Sequence, residues 1–408
     1  VIVIDHHLSE INLPNVLAII NPNRADDTSD YKELAAVGVT FLFLMYLRKK
    51  LREINKFNEI KEPNLLSYLD LVALGTVCDV VELKQYNRFF VKKGLELIHK
   101  RYHRGIAKLI DNSKIASSPT SQDLGFVVGP QINAASRIDD SSLASKLLIS
   151  NDIEQIDSIS RKLFLLNEKR KLIESQILDD ANNQAASQTN SNFILVFGNN
   201  WHQGVLGIIA SKIKDIYYKP TIVISFTNNI GIGSARSIEH VDLGKIILNA
   251  KAEKILISGG GHSMAAGLKI NFYNIENFKT YLEKSLSLYS KNIFNRIDYF
   301  DSVITVNDLN LDLINEIKQL QPFGKGNPEP VFILKDVIIN SIKIIKNKHI
   351  LIFFENDIGN IIKGICFNSK KNILGEYLEK FNQFKFLLSC TVTVDKFTSE
   401  QVPQIIIK

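Results

Sequence analysis

The feature that most constrains this chain is its opening run Val1-Ile2-Val3-Ile4-Asp5-His6-His7, four β-branched residues ending abruptly in an acid and two imidazoles. An unbroken β-branched run reads as a buried strand of a parallel sheet, since alternation is needed only where one face meets water. In open α/β sheets the carboxyl edge of such a strand faces the crevice where ligands bind. A carboxylate and neutral imidazoles there could hold a divalent cation, or serve as acid and base. The alternative places His6 and His7 in a surface turn. The chain opens on Val1, already inside a strand and without Met, and is therefore read as a fragment whose upstream part is missing.

At 408 residues there is room for two or three domains, each able to bury a core. The apolar run Val37 to Leu47 is too short to span a bilayer and runs into Arg48-Lys49-Lys50, so it reads as a buried helix. No signal peptide is visible. Cys78, Cys366 and Cys390 lie far apart with no Cys-x-x-Cys spacing, which favours a reducing cytoplasm over a disulfide scaffold. A net charge of +6 is compatible with a polyanionic partner, though a Lys-rich composition alone produces as much.

Along the chain, Asn21-Pro22-Asn23-Arg24 reads as a turn, and a core helix with apolar residues on most sides is expected from about Glu33 to Ile54. The next apolar segment, Leu66 to Glu82, carries Asp79 between Cys78 and Val80-Val81. An unpaired carboxylate buried there would be costly, so a metal is one expected compensation; a helix cap or an arginine such as Arg88 is the other. Gly129-Pro130 and Asn133-Ala134-Ala135-Ser136-Arg137 read as a tight small-residue loop carrying one arginine. Ile156, Ile159, Leu163, Leu166, Ile173 and Ile177 then mark a helix of roughly thirty residues, an inter-domain connector ended by the Asn/Gln/Ser-rich stretch from Asn182 to Asn192.

A second α/β unit begins at Phe193, with Trp201-His202-Gln203-Gly204 opening a helix to about Tyr217, a strand at Thr221 to Ser225 and a helix near Leu243 to Lys251. Two segments here carry chemistry: Gly231 to Ser237 with Ser234 and Arg236, and Gly259-Gly260-Gly261-His262. Glycines ahead of a helix start would let backbone N–H groups approach an anion. A glycine run can equally serve steric needs, but with Arg137 upstream there are three such sites, and together they point to phosphate contacts. From about Tyr299 short strands alternate with turns: 303–306, 331–334, 337–345, 349–354, 361–367, 384–394 and 402–407. That is the pattern of a small β-barrel. Residues 340–408 hold ten Lys, no Arg and six Asp or Glu, a mild basic excess fitting a groove for single strands. Phe353, Phe354, Phe367 and Phe397 could stack on bases, with at least two of them expected in the core.

The ordered set Ile4-Asp5-His6-His7, Leu74-Gly75-Thr76-Val77-Cys78-Asp79, Gly129-Pro130-Gln131-Ile132-Asn133-Ala134-Ala135-Ser136-Arg137, His202-Gln203-Gly204-Val205-Leu206-Gly207, Gly233-Ser234-Ala235-Arg236-Ser237 and Gly260-Gly261-His262 resembles the RecJ family. That family comprises bacterial single-strand-specific 5′→3′ DNA exonucleases of the DHH phosphoesterase superfamily. Gln321-Pro322-Phe323-Gly324-Lys325-Gly326-Asn327-Pro328-Glu329-Pro330 is similar to the family's lead into its OB-fold domain. The resemblance implies an α/β fold in four parts: the C-terminal portion of a DHH catalytic domain (1–140), a connecting helix (141–190), a DHH-associated substrate-binding domain (191–295) and an OB-like β-barrel (296–408). It implies two-metal phosphodiester hydrolysis with Mn²⁺ or Mg²⁺, in DNA repair and recombination in the cytoplasm. Asp5, His6 and His7 would be catalytic, His6 and Asp79 metal ligands, and His7 would sit beside the scissile phosphate. Arg137, Ser234, Arg236, Gly260, Gly261 and His262 would contact DNA. Single-stranded DNA is the implied substrate, with a single-strand DNA-binding protein and a helicase as partners and no membrane.

The chain departs from the family in three ways. The aspartates that complete the metal site belong to motifs upstream of Asp5, and Cys78 and Ser136 stand where Ala and Gly are usual. Cys78 reads as a small buried residue and not as a ligand; Ser136 puts the backbone beside Arg137 in question. Two other readings stay open: a phosphodiesterase for short oligonucleotides or cyclic dinucleotides, which would not need the β-rich extension, and a non-catalytic single-strand DNA-binding fragment.

Overall fold

The opening run forms a strand, β1 (Ile2–Ile4), paired in parallel with β2 (Ala18–Ile20) so that Ile4 stands opposite Ile20. The computed structural model describes all residues except 10, 11, 116, 117, 356–358, 360, 371, 372 and 396–400. The strand is parallel as expected but only half buried, and among the described residues it pairs with β2 alone. Ile2 stays 48% exposed, while Ile4 and Ile20 pack on a core built from Leu34, Val39, Phe41, Leu65, Leu69 and Phe90.

Three helices follow, α1 (Ala36–Glu53), α2 (Leu69–Cys78) and α3 (Gln85–His99). The first corrects an expectation: it buries only Gly38, Val39 and Phe41, and leaves Leu44, Met45, Tyr46 and Leu47 exposed. After α4 (Arg104–Asn112) comes the short α5 (Ser121–Asp123), closed by a capping box between Thr120 and Asp123, then a π-helical turn (Leu124–Val128) leading into α6 (Gly129–Ile138). The stretch expected as a loop around Arg137 is therefore a helix. Pro130 sits in its first turn, where a missing N–H costs nothing. Ala134 and Ala135 are small because that face is fully buried. Beyond α7 (Ser142–Ile149), α8 runs from Ile153 to Ala186, started by the Asp152 side chain accepting from the N–H groups of Glu154 and Gln155. It packs along its length, on α4, α6 and α7 and then on the next helix and strand.

Those are β3 (Ile194–Asn199) and α9 (Gln203–Tyr217), followed by β4 (Thr221–Thr227), β5 (Ile230–Arg236), α10 (Leu243–Ala252), β6 (Ser258–His262), β7 (Ala265–Asn271) and α11 (Ile275–Leu286). The sheet order is β3-β4-β5-β7-β6, parallel between β3 and β4 and antiparallel elsewhere. One face buries Leu195, Ile222, Ile224, Leu268 and Ile270 with α10 and α11. On the other, Val196 and Val223 pack under α8 and α9.

The β-rich end contains β8 (Ser302–Ile304), α12 (Leu311–Gln319), β9 (Phe332–Leu334), β10 (Ile339–Ile345), β11 (His349–Glu355), β12 (Ile361–Cys366), α13 (Ile373–Glu379), β13 (Leu388–Val394) and β14 (Pro403–Ile407). Its ladders run β10-β11-β12-β14-β13-β9-β8 around one core of Ile350, Ile352, Phe354, Leu388, Cys390 and Ile405. Phe354 is thus a core residue, Phe353 is partly buried and Phe367 is exposed, whereas Phe397 lies outside the described residues.

By packing, residues 1–103, 115–126 and 298–408 form one unit, and residues 104–114 and 127–297 form another. α8, read from sequence as a connector, lies wholly inside the second. No helix among the described residues is long and apolar enough to cross a membrane.

Candidate active site

In the first unit the residues after β1 form a corner. The Asp5 Oδ1 accepts the His6 N–H at 2.8 Å, the His7 N–H at 3.3 Å and the His7 Nδ1 at 2.7 Å. Burial pushes the Asp5 carboxyl up, but these donors outweigh it and hold the group below its ordinary range. The turn after β2 clamps the same corner. Asn21 Nδ2 donates to the His7 carbonyl at 2.8 Å, and Asn23 Nδ2 to the His6 carbonyl at 2.7 Å and to Lys32 O at 3.0 Å. Arg24 Nη1 ties the turn to Ile19 O at 2.7 Å. The sequence marks this turn by its Asn-Pro-Asn composition and gives no sign of its clamping role.

His6 Nε2 lies 3.1 Å from the Asp79 Oδ2. Asp79 is the C-cap of α2, its N–H donating to Gly75 O at 2.9 Å. This carboxylate is not buried as expected; its side chain is 39% exposed. The buried acid of the stretch is Asp70, fully enclosed at the start of α2, and burial pushes its carboxyl above the ordinary range. Arg88 is not the partner of Asp79, because its Nη2 donates to Leu320 O at 2.8 Å. A carboxylate at a helix C-terminus meets the negative end of the macrodipole, so a cation beside Asp79 would be favoured from both sides. Burial and the neighbouring Asp79 charge push the Cys78 thiol up to about 11, so by itself it is not a thiolate at neutral pH.

Two donors 3.1 Å apart match neighbouring ligands of an octahedral ion, which stand about 3 Å apart when each bond is about 2.1 Å. An imidazole and a carboxylate suit Mn²⁺ or Mg²⁺. The corner supplies these two donors, and among the described residues no three His, Cys, Asp or Glu side chains converge to hold a metal.

The second unit carries a shelf of cations. Arg137, in the last turn of α6, donates through Nη1 to Gly204 O at 2.8 Å. Arg236, at the end of β5, donates to Ser234 Oγ at 3.2 Å and to Ala235 O at 2.8 Å. Burial lowers both guanidinium pKa values, and repulsion adds to it, from Arg170 on Arg137 and from Arg137 on Arg236. The arginines are therefore close, partly desolvated and drawn to an anion. The glycines of α9 permit this. A Cβ on Gly204 would stand 2.4 Å from Arg137 O, and one on Gly207 would stand 2.8 Å from an Arg236 Nη2.

The glycine run does not precede a helix as expected; it is β6, at the edge of the sheet. Residues 265–271 alternate buried and open, which continues the sheet as β7. Register then groups the residues: Arg236, Ala265 and His262 stand abreast, as do Ser234, Gly267 and Gly260. Cross-strand neighbours share a face, so Arg236, Ser234 and His262 line one side, kept open by Gly260 and Gly267. Gly261 points the other way. Lys269, abreast of Ile232 and Ser258, joins the same side and is exposed. Its position in the Ala265 to Asn271 alternation was the signal that could have found it.

The fold and the site together define an α/β protein with a carboxylate–imidazole corner, an arginine shelf and a terminal β domain. Residues 190–288 match the DHHA1 domain, and residues 300–408 the RecJ OB domain. The single-stranded-DNA-specific exonuclease RecJ of Haemophilus influenzae is 34% identical over 97% of this chain and 72% of its own length. The Bacillus subtilis relative of the same description is 30% identical over 100% of the chain and 50% of its length. This chain belongs to the RecJ family. Among solved structures, RecJ of Thermus thermophilus in complex with Mn²⁺ superposes with a TM-score of 0.81 at 23% identity, over 100% of this chain and 57% of that one, a likeness of fold. An exonuclease RecJ bound to manganese gives 0.59 at 28% identity over 72% of this chain and 71% of that one. The chain thus spans between about half and three quarters of the relatives named here.

Proposed function

We propose that this chain is the greater part of a metal-dependent exonuclease that degrades single-stranded DNA from the 5′ end. Family membership supports the reading, and the observation that carries it is the convergence of His6 Nε2 and Asp79 Oδ2 at 3.1 Å. His6 and Asp79 would hold a divalent cation, Mn²⁺ or Mg²⁺, and we assign the remaining donors to the part of the relatives that residues 1–408 do not match. When bound, such a cation supplies Lewis acidity and an activated water for in-line displacement. Asp5 holds the His7 ring through Nδ1, which leaves Nε2 free to face a scissile phosphate. Arg137, Ser234, Arg236 and His262 hold backbone phosphates on the open side of the sheet, where Gly260 lets the strand lie close. Phe367 and the basic surface of the β-rich end add stacking and charge. We also place the protein in the cytoplasm, with a single-strand DNA-binding protein and a helicase as partners in repair and recombination.

The test is turnover of end-labelled single-stranded DNA by the full-length protein in Mn²⁺. His6→Ala or Asp79→Ala should each lower the rate by at least about 100-fold, as expected for a lost ligand. A loss under about tenfold at saturating metal would exclude the metal role of these residues. Release of label from the 5′ end alone is the polarity expected.

A further inference from the structure

The roles above leave the turn from Gln321 to Asn327 without a function, yet within its unit it is docked on the segment that follows Asp79. The Leu83 N–H donates to Lys325 O at 2.7 Å. A Cβ on Gly324 would stand 2.7 Å from Leu83 Cδ1, and one on Gly326, whose φ is +75°, would stand 2.9 Å from Glu82 Cβ. From α3, Arg88 Nη2 holds Leu320 O at 2.8 Å. Asn327 Nδ2 closes the turn on itself, donating to Leu320 O at 2.9 Å and to Pro322 O at 2.8 Å.

Between that docking point and Asp79 stands Val80, in the left-handed region with φ +57°. A β-branched residue there is strained, and such strain persists only where the surroundings over-determine it. Val80 is 63% exposed and has little packing of its own to offset the cost. The segment is instead pinned at both ends. Upstream, the Asp79 N–H holds Gly75 O at 2.9 Å and the Val80 N–H holds Val77 O at 3.1 Å; downstream, the Leu83 N–H holds Lys325 O and the buried Asn87 Nδ2 holds Glu82 O at 3.0 Å. Were the hold on Lys325 lost, Asn87 alone would restrain the downstream end through Glu82 O, and Val80 would relax, with the last turn of α2 and the Asp79 carboxylate moving with it.

We propose that the Gln321–Asn327 turn is a positioning element for the Asp79 carboxylate, acting by locking Val80 in its left-handed conformation. This rests on the reading of Asp79 as a metal ligand. It makes the lead into the β-rich domain part of the apparatus that sets the metal corner.

The experiment is Mn²⁺ binding to the full-length protein, followed by the electron paramagnetic resonance signal of free Mn²⁺, with single-strand affinity measured in parallel without metal. Gly326→Ala should weaken Mn²⁺ binding by about tenfold or more, as removal of an outer support does, and leave single-strand affinity unchanged. Val80→Gly, free to take a left-handed φ without strain, should restore most of the loss in the same background. Arg88→Ala, which removes the anchor on Leu320, is read in the same way and serves if Gly326→Ala does not fold. Mn²⁺ affinity within about twofold of wild type in these variants, while Asp79→Ala abolishes binding, would overturn the role of the turn and leave Asp79 a ligand. A loss that Val80→Gly fails to restore would make the turn a brace without a positioning role. Unchanged binding in Asp79→Ala would remove the ligand reading and this proposal with it.

Discussion

The corner of the first unit and the shelf of the second hold their functional groups by different means. His6 stands just past a three-residue strand and Asp79 caps a helix, so neither backbone belongs to a ladder. Ser234 sits inside β5 and Arg236 is its last residue, yet both are paired on each side, with Val223 and Thr221 of β4 and with Gly267 and Ala265 of β7. A group at an element's end inherits little rigidity and must be held by side chains, here Asn21 and Asn23 on the carbonyls of His7 and His6. A group within a paired strand is held by the ladder, and the requirement becomes negative: nothing must fill the space in front of it, hence Gly204, Gly207, Gly260 and Gly267. Geometry in the corner is therefore expected to be sensitive to distant hydrogen-bonding residues, and geometry on the shelf to local bulk.

The largest expected effect tests the shelf. Arg236→Ala should cost about 1.5–3 kcal/mol of single-strand affinity, the range for a hydrogen bond to a charged group, and reduce the slope of log K against log salt by about 0.7. Arg236→Lys should recover the slope and only part of the affinity, since a point charge replaces a fork. An unchanged slope in Arg236→Ala would leave this arginine bracing its own strand.

Next comes Asn23→Ala, which removes donors to His6 O and Lys32 O and should destabilise the first unit by about 1–3 kcal/mol. It should lower Mn²⁺ affinity and leave metal-free single-strand binding alone. If strand binding falls as much as metal binding does, the separation drawn between corner and shelf is wrong.

Lys269→Ala should have a smaller effect, because it removes a single solvent-exposed charge from the path of the strand. The salt slope should fall by about 0.7 and the affinity by under about 1 kcal/mol at physiological salt. No change would confine the strand to the Arg236–His262 end of the face.

The smallest effect concerns Asp70, at the far end of the helix that carries Asp79. Its folded-state pKa is raised, so in the window from the ordinary carboxylate value up to the folded value the native state binds more protons than the unfolded. Stability from this group is therefore present at low pH and lost as pH rises through that window. Asp70→Asn should flatten that slope and raise the melting temperature at neutral pH relative to wild type, read by denaturation at several pH values. A steeper slope would mean that the carboxylate is paired in the native state.

Much of this was legible from the chain alone. The strands of the β-rich end fall within a few residues of their expected places, since alternation and turn residues are local properties. The Ile156 to Ile177 stripe did mark one long helix. The pairing of His6 with Asp79 as metal ligands rests on motif resemblance, because no local rule joins residues 73 positions apart; the structure brings their side chains to 3.1 Å. Two of the errors share a cause. Small residues at 129–137 and the glycine run 259–261 read as loops, because Gly and Ala carry no periodic signal of their own. Their state was decided by what they pack against, α8 for the one and β7 for the other.

By itself, then, the sequence determined which segments are helix or strand where polarity alternates, where the turns lie, and which residue types are present to bind metal and phosphate. Only the tertiary structure decided that Asp70 and not Asp79 is the buried acid, that the Arg137 charge reaches Arg236, that Lys269 shares the side of the sheet that carries Arg236, and that the Gln321–Asn327 turn docks beside the segment after Asp79. Burial, electrostatic proximity and docking are properties of which distant segments meet, and a chain read locally carries no measure of them.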